Sequence, residues 1–247
     1  MTPGAALAVL AAGTAAGLIN TVVGSGTLIT FPTLIAIGYP PVLANVSNTV
    51  GLVLGSVSGA IGYRRELAGQ RRRLITLGAA AVAGGLTGGL LLLTLPSKAF
   101  DAIVPVLIVA GIVLVLLQPR LQRRVRSPHP HHVHRGLWAS VYGSSVYGGY
   151  FGAAQGVLLI AAMGAFLDES LQRVNAAKNV LAALVNGVAA VLFIAVAHVS
   201  WSAAGLIAVG SIVGGQIGAH VGRRLPARAL RAVIVVMGIV ALIALLA

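Results

Sequence analysis

Polar positions in this chain come in bursts, separated by apolar runs about as long as a bilayer is thick. Six runs are uninterrupted: residues 44–62, 74–95, 102–117, 174–196, 203–222 and 229–247. A helix rises 1.5 Å per residue, so ~20 apolar residues cross a hydrocarbon core of ~30 Å. Each run therefore predicts a membrane helix. Two further apolar regions, 3–38 and 136–167, are too long for one helix. Each is interrupted near its middle, the first by Gly24-Ser25-Gly26 and the second by Ala153-Ala154-Gln155-Gly156.

The pattern repeats itself at a constant offset of 130. Leu95-Pro96 matches Leu225-Pro226, Gly84-Gly85 matches Gly214-Gly215, and Gly88 matches Gly218. Asn45 and Val50 match Asn175 and Val180, while Gly26 and Leu28 match Gly156 and Leu158. Shared Ala, Val and Leu carry little information in so apolar a chain; prolines and paired glycines in one register carry more. Internal repeats are common in secondary transporters. The expected organisation is a first membrane repeat over 1–118, a basic linker over 119–135 and a second membrane repeat over 136–247.

Charge decides how the repeats are oriented. The loop after the 44–62 run carries Arg64, Arg65, Arg71, Arg72 and Arg73, whereas its counterpart, 195–202, has no Lys or Arg. The next loop reverses this. Residues 94–101 carry one Lys and one Asp, and their counterpart carries Arg223, Arg224, Arg228 and Arg231. Basic residues stay on the cytoplasmic side, so the halves are expected to be inverted. Both long regions then begin and end on the same side, and each folds as a hairpin about its break. The second arms, 27–37 and 157–167, have about eleven residues, or ~16 Å of helix, roughly half a bilayer. They are either re-entrant or cross a thinned region. The fold expected is an all-α integral membrane protein with two inverted repeats of about five segments each.

Composition agrees. Hydrophobic residues make up 58% of 247 positions, only 9% are charged, and mean hydropathy is +0.98. A soluble domain carries about 25% charge. The net charge of +13 would suggest nucleic acid in a soluble protein. Here the arginines lie between apolar spans, so they set topology and meet anionic lipid headgroups; nucleic acid is not an expected partner. Cysteine is absent, which excludes thiol chemistry and Cys-ligated metal. No charged side chain precedes the first run, so that run reads as a retained helix rather than a cleaved signal.

The breaks hold the candidate chemistry. Non-helical backbone inside a bilayer costs several kcal/mol per unpaired group unless protein or water surrounds it. A helix beginning just after Gly26 or Gly156 aims free N–H groups and a positive dipole end inward. Two inverted halves bring two such ends together, which makes an anion site without a charged side chain. The bland alternative is that these glycines only permit a tight turn. Around the breaks stand Asn20, Ser25, Asn48, Thr49, Tyr150, Gln155 and Asn179, with Thr21, Thr27, Asn45, Tyr147, Asn175 and Asn186 nearby. Neutral donors suit an anion that must also leave; singly, Ser and Thr more often bond back to their own helix. Lys178 lies five residues past Arg173, ~7.5 Å deeper along a helix. It either attracts an anion at the cytoplasmic mouth or snorkels to the headgroups.

Other chemistry has little support. All four acids, Glu66, Asp101, Asp168 and Glu169, sit in or beside loops, so no buried carboxylate is available for proton or sodium coupling. His129, His131, His132 and His134 form a short tract in the basic linker, more simply a solvated loop than a metal site. No cofactor is called for and no metal site is expected. Val23-Gly24-Ser25-Gly26 lacks the first Gly of an intramembrane serine protease motif, and no His-Glu-x-x-His is present, so an enzyme is not expected.

Gly24-Ser25-Gly26 leads into Phe31-Pro32 and Gly38, then Ala44-Asn45-Val46-Ser47-Asn48-Thr49. The second half carries Tyr147-Gly148-Gly149-Tyr150-Phe151-Gly152-Ala153-Ala154-Gln155-Gly156. On these residues the whole chain resembles the TauE/SafE, or sulfite exporter, family of bacterial membrane proteins. The resemblance implies a multi-pass protein of the bacterial inner membrane. It would move sulfite, a sulfonate or a related organic anion, often outward. Alternatives are an anion channel and an importer of a small carboxylate or sulfonate. The site expected from the residues is Asn20, Ser25, Gly26, Asn48, Thr49, Tyr150, Gln155, Gly156, Lys178 and Asn179. The expected partners are that small anion and membrane lipids, with a homo-oligomer as a further candidate; glycines at every fourth residue, Gly51, Gly55 and Gly59 and again Gly210, Gly214 and Gly218, read as helix-packing ridges.

Overall fold

A computed structural model describes the backbone of residues 1–124, 135–221 and 227–246. The histidine tract, Ser127, Arg126, Arg223, Arg224 and the Leu225-Pro226 pair lie outside those residues. Ten helices occur in the described chain. They are α1 (Pro3–Val22), α2 (Thr27–Ala36), α3 (Pro41–Gly62), α4 (Arg71–Thr94), α5 (Ser97–Arg124), α6 (Arg135–Tyr150), α7 (Gln155–Phe166), α8 (Leu171–Val196), α9 (Trp201–Val221) and α10 (Ala227–Leu246). Six are long and apolar enough to cross a membrane: α1, α3, α4, α5 through Arg120, α8 and α9. The hairpin expectation holds: both long regions divide at their glycine breaks. Their second arms, α2 and α7, have 10 and 12 residues, or about 15 and 18 Å of helix.

Helix ends follow from local chemistry. The Thr2 hydroxyl accepts the N–H of Ala5 at the start of α1, and Pro3 follows it as the first helical residue. The Ser170 hydroxyl does the same for Arg173 at the start of α8. Such caps occupy N–H groups that the helix leaves unpaired. Pro41 opens α3, where its missing N–H costs nothing.

Packing obeys the repeat. Helix α1 lies along α9 as α6 lies along α4; α2 packs on α10 as α7 packs on α5. Helices α3 and α8 cross at the centre, and α5 meets α10. Advancing each helix five places in chain order exchanges one set of contacts for the other. Glycine makes the closest of them. A Cβ on Gly214 would lie 1.9 Å from the Thr14 carbonyl oxygen in α1. On its counterpart Gly84 it would lie 2.5 Å from the Tyr142 carbonyl oxygen in α6. Small residues let helix backbones approach in lipid, where hydrophobic burial gives no driving force between helices. These glycines are packing residues.

Candidate functional site at the crossing of two helix breaks

The two breaks touch. The N–H of Gly156 donates to the carbonyl of Gly24 at 3.0 Å. A Cβ on Gly24 would fall 2.4 Å from the Cα of Gly156, and the converse distance is the same. The turns reach this contact through left-handed backbone: Gly24 has φ +90 and its repeat counterpart Ala154 has φ +60. Glycine enters that region freely, whereas an Ala there costs about 1–2 kcal/mol. This corrects one expectation. The leading N–H groups of α7 are not free: Gln155 donates to the Gly152 carbonyl at 3.2 Å, and the opposite break supplies the acceptor for Gly156. The N–H of Gly26, its counterpart, has no backbone acceptor among the described residues.

Ser25 and Gln155 occupy the same register of the two breaks. Both are buried, at 0% and 4% exposure. Among the described residues, the Ser25 hydroxyl and the Gln155 amide nitrogen have no hydrogen-bond partner. Gln155 reaches across Gly148, where a Cβ would meet its Cδ at 2.2 Å. Unsatisfied buried donors are uncommon, since each forfeits about 1–3 kcal/mol.

Around the crossing, α3 and α8 present matched polar residues. Asn45 donates to the Tyr150 carbonyl at the end of α6 at 2.9 Å, and Asn175 donates to the Thr21 carbonyl near the end of α1 at 3.1 Å. Each asparagine thus ties a central helix to the hairpin of the other half, and each leaves its own carbonyl oxygen unpartnered among the described residues. One turn on, the counterparts are Asn48 and Lys178. Asn48 bonds Thr30 and Thr27 within its own half. Lys178 Nζ donates to the carbonyls of Asn20 at 2.7 Å and Thr21 at 3.0 Å. Asn179 also donates to Thr21, at 3.3 Å. Farther along, Asn186 donates to its own counterpart Ser56 at 3.3 Å, and Asn20 donates to the same hydroxyl.

The position of Lys178 is the second correction. It is fully buried, at 0% exposure, so it neither snorkels nor lies at a mouth. Its stem rests on Gly156, whose Cβ would meet Lys178 Cδ at 2.9 Å. Its ammonium caps carbonyls at the C-terminal end of α1, where helix dipoles favour a cation. Helices α1, α2, α3, α7 and α8 contain no Asp or Glu. Among the described residues the buried Lys178 amine meets only neutral carbonyls, and a positive charge in such a place costs several kcal/mol without a counter-ion.

The remaining expected residues are placed as follows. Gly26 packs against α1, where a Cβ would lie 2.7 Å from the Ala16 carbonyl oxygen. Thr49 bonds back to Asn45 of its own helix at 2.9 Å, the ordinary helical role. The Tyr150 hydroxyl is buried and unpartnered, and its ring leans on Phe100 at 5.7 Å between centroids. Thr30 and Ser56 belong to the cluster and were not foreseen. Ser56 stands 130 positions before Asn186, and that register was the available signal.

The chain matches the family model described as sulfite exporter TauE/SafE over residues 9–245. It is 27% identical over 207 residues to a probable membrane transporter protein of Haemophilus influenzae, covering 84% of this chain and 81% of that one. It is 28% identical over 209 residues to the probable membrane transporter protein YfcA of Escherichia coli K12, covering 83% and 76%. A probable membrane transporter protein ORF9 of Sinorhizobium is 24% identical over 238 residues, covering 94% and 88%. Ten helices, a polar crossing of two breaks and a match over nearly the whole length agree: the chain belongs to the TauE/SafE sulfite exporter family and is a multi-pass bacterial membrane transporter, not an enzyme.

Proposed function

We propose that the chain exports a small oxyanion, sulfite or a short sulfonate, across the inner membrane, and that the anion is held beside the crossing of the two breaks. The repeats are inverted, as their loop charges require, and the crossing sits near the midplane. One observation carries the site: two buried donors without partners among the described residues, Ser25 Oγ and Gln155 Nε2, occupy equivalent places in the two halves, and the stem of buried Lys178 rests on Gly156 beside Gln155. On this reading an oxyanion is the ligand shared by the two donors and the Lys178 amine.

The geometry restricts how this works. Gly24 and Gly156 are in van der Waals and hydrogen-bond contact, so no ion fits between them. The anion sits on the rim of the contact, with Ser25, the Gly26 N–H and Gln155 as neutral donors and the Lys178 ammonium as its charge partner. Asn48 holds the Thr27 and Thr30 hydroxyls, Asn179 holds the Thr21 carbonyl, Thr49 stiffens α3, and Tyr150 closes one wall. Passage requires the Gly156–Gly24 bond to part, which lets one hairpin move against the other. Neutral donors and one cation bind a monoanion firmly enough to select it and loosely enough to release it.

Adding a carboxylate tests the site. In proteoliposomes loaded with labelled sulfite, Gln155→Ala is expected to reduce efflux in part. Ser25→Asp and Gln155→Glu are expected to abolish it, because a fixed carboxylate takes the place of the anion and pairs with Lys178. Normal efflux by both acidic variants, each shown to be folded, contradicts the proposal.

A further inference from the structure

The repeat relates a second pair of features that the transport site does not use. Near the start of α8, Glu169 accepts Arg73 at 2.9 Å and Arg173 at 2.6 Å. Arg173 also donates to the Ala68 carbonyl at 3.1 Å. Buried Gln70 donates to the carbonyls of Glu66 and Arg173, at 2.8 and 3.1 Å. This cluster ties α4 and the loop before it, in the first half, to the N-terminal end of α8, in the second. Near the start of α3 a different cluster does the equivalent. The Ser200 N–H donates to the buried hydroxyl of Ser47 at 2.9 Å, and the Ser200 hydroxyl donates to that of Tyr39 at 3.2 Å. The register is shared: Ser200 stands 130 positions after Gln70, and Glu169 stands 130 after Tyr39.

We propose that these two tethers are the gates of the transport path, an ionic gate of Arg73, Glu169 and Arg173 on the cytoplasmic side and a hydroxyl gate of Tyr39, Ser47 and Ser200 on the outer side. The assignment of sides rests on the inverted-repeat reading above. Each tether joins the two halves, so each must break when they separate at that end. Each also sits on the helix that carries the site. Arg173 precedes Lys178 by five residues, ~7.5 Å along α8, and Ser47 adjoins Asn48 on α3. Opening one end while the other stays tied gives alternating access to the crossing. The two gates are equivalent in place and unequal in strength. Charge-assisted bonds to a shared carboxylate are roughly twice as strong as neutral hydroxyl bonds, so the unloaded protein opens outward more readily than inward. An anion from the cytoplasm gains entry by way of the ionic gate, where Arg173 bonds the loop that carries Arg64 and Arg65, a basic segment that would attract it.

The natural absence of cysteine provides the test. Ser25→Cys places one thiol at the buried crossing with no background. Its rate of modification by a membrane-impermeant methanethiosulfonate is measured from outside in intact cells and from the cytoplasmic face in inverted vesicles. Glu169→Gln, and separately Arg73→Gln, are expected to raise the cytoplasmic rate several-fold and leave the outer rate unchanged. Tyr39→Phe with Ser200→Ala is expected to raise the outer rate only. A cytoplasmic rate unchanged in folded Glu169→Gln and Arg73→Gln overturns the proposal, and so does an equal rise on both faces. Protection of the cysteine by added sulfite would support the anion site without bearing on the gates. The gates are read from the side-specific rates alone, and the site reading stands or falls separately on the efflux of Gln155→Glu.

Discussion

At the scale of single residues, the account turns on positions where one atom more does not fit. Gly24 and Gly38 both have positive φ, +90 and +95, but only Gly24 faces another backbone. Gly38→Ala should cost about 1 kcal/mol of backbone strain and leave the protein functional. Gly24→Ala should add a collision with Gly156 and abolish folding or transport. Yield of monodisperse protein after detergent extraction separates the two. Glu169 makes a second prediction. Partial burial would raise its pKa, but the hydrogen bonds and charges of Arg173 and Arg73 outweigh this and hold it below the usual Glu value. A lowered carboxyl pKa stabilises the fold above the unfolded value, about 4.3, and that contribution is lost as pH falls through the folded pKa. Thermal stability of the parent should therefore drop on acidification below about pH 4.3. Glu169→Gln should be less stable at neutral pH and flatter across that window. Identical pH profiles would show that the ionic cluster contributes nothing to the closed state.

At the scale of helices, close backbone approach decides the arrangement. Gly214 and Gly218 let α1 and α9 touch, with a Cβ on Gly218 only 2.8 Å from the Leu18 carbonyl oxygen. Gly214→Leu should push α1 from α9, and with it the α1 end that holds Lys178. We expect loss of the folded protein at growth temperature, whereas Gly205→Leu, with open space around it, should be tolerated. Size-exclusion profiles of the two variants check this. The helices themselves were legible because apolar runs, glycine breaks and loop charges are local signals, and all eight apolar regions became helices or hairpins. What touches what was less legible. A register of 130 states which residues are equivalent, not which are neighbours. Nothing local therefore announced that Gly156 would bond Gly24. Lys178 was placed too near the surface for a related reason. Its depth was counted along α8 from Arg173, but its burial is set by the ends of α1 and α7, which come from elsewhere in the chain. Thr30 and Ser56 were passed over because an isolated hydroxyl in a membrane helix usually bonds its own backbone, as Thr14, Thr33 and Thr49 do.

At the scale of the molecule, two claims bear the weight: that the halves are inverted, and that their crossing binds the anion. Ala68 and His198 are exposed and stand 130 apart. A parallel repeat puts them on one face, and an inverted repeat on opposite faces. Ala68→Cys should be labelled only from the cytoplasm and His198→Cys only from outside; labelling of both from the same side removes the inverted reading. The crossing is tested most directly by equilibrium binding of labelled sulfite to purified protein carrying Lys178→Met or Lys178→Arg. Lys178→Met keeps most of the buried stem and removes the charge, and Lys178→Arg keeps a cation. The account predicts that Lys178→Met, folded as judged by its melting profile, binds at least tenfold more weakly, a loss of ~1.4 kcal/mol or more, and that Lys178→Arg retains part of the affinity. Unchanged affinity in Lys178→Met would mean that the anion does not meet this cation, and that the crossing of the breaks is a structural joint rather than the transport site.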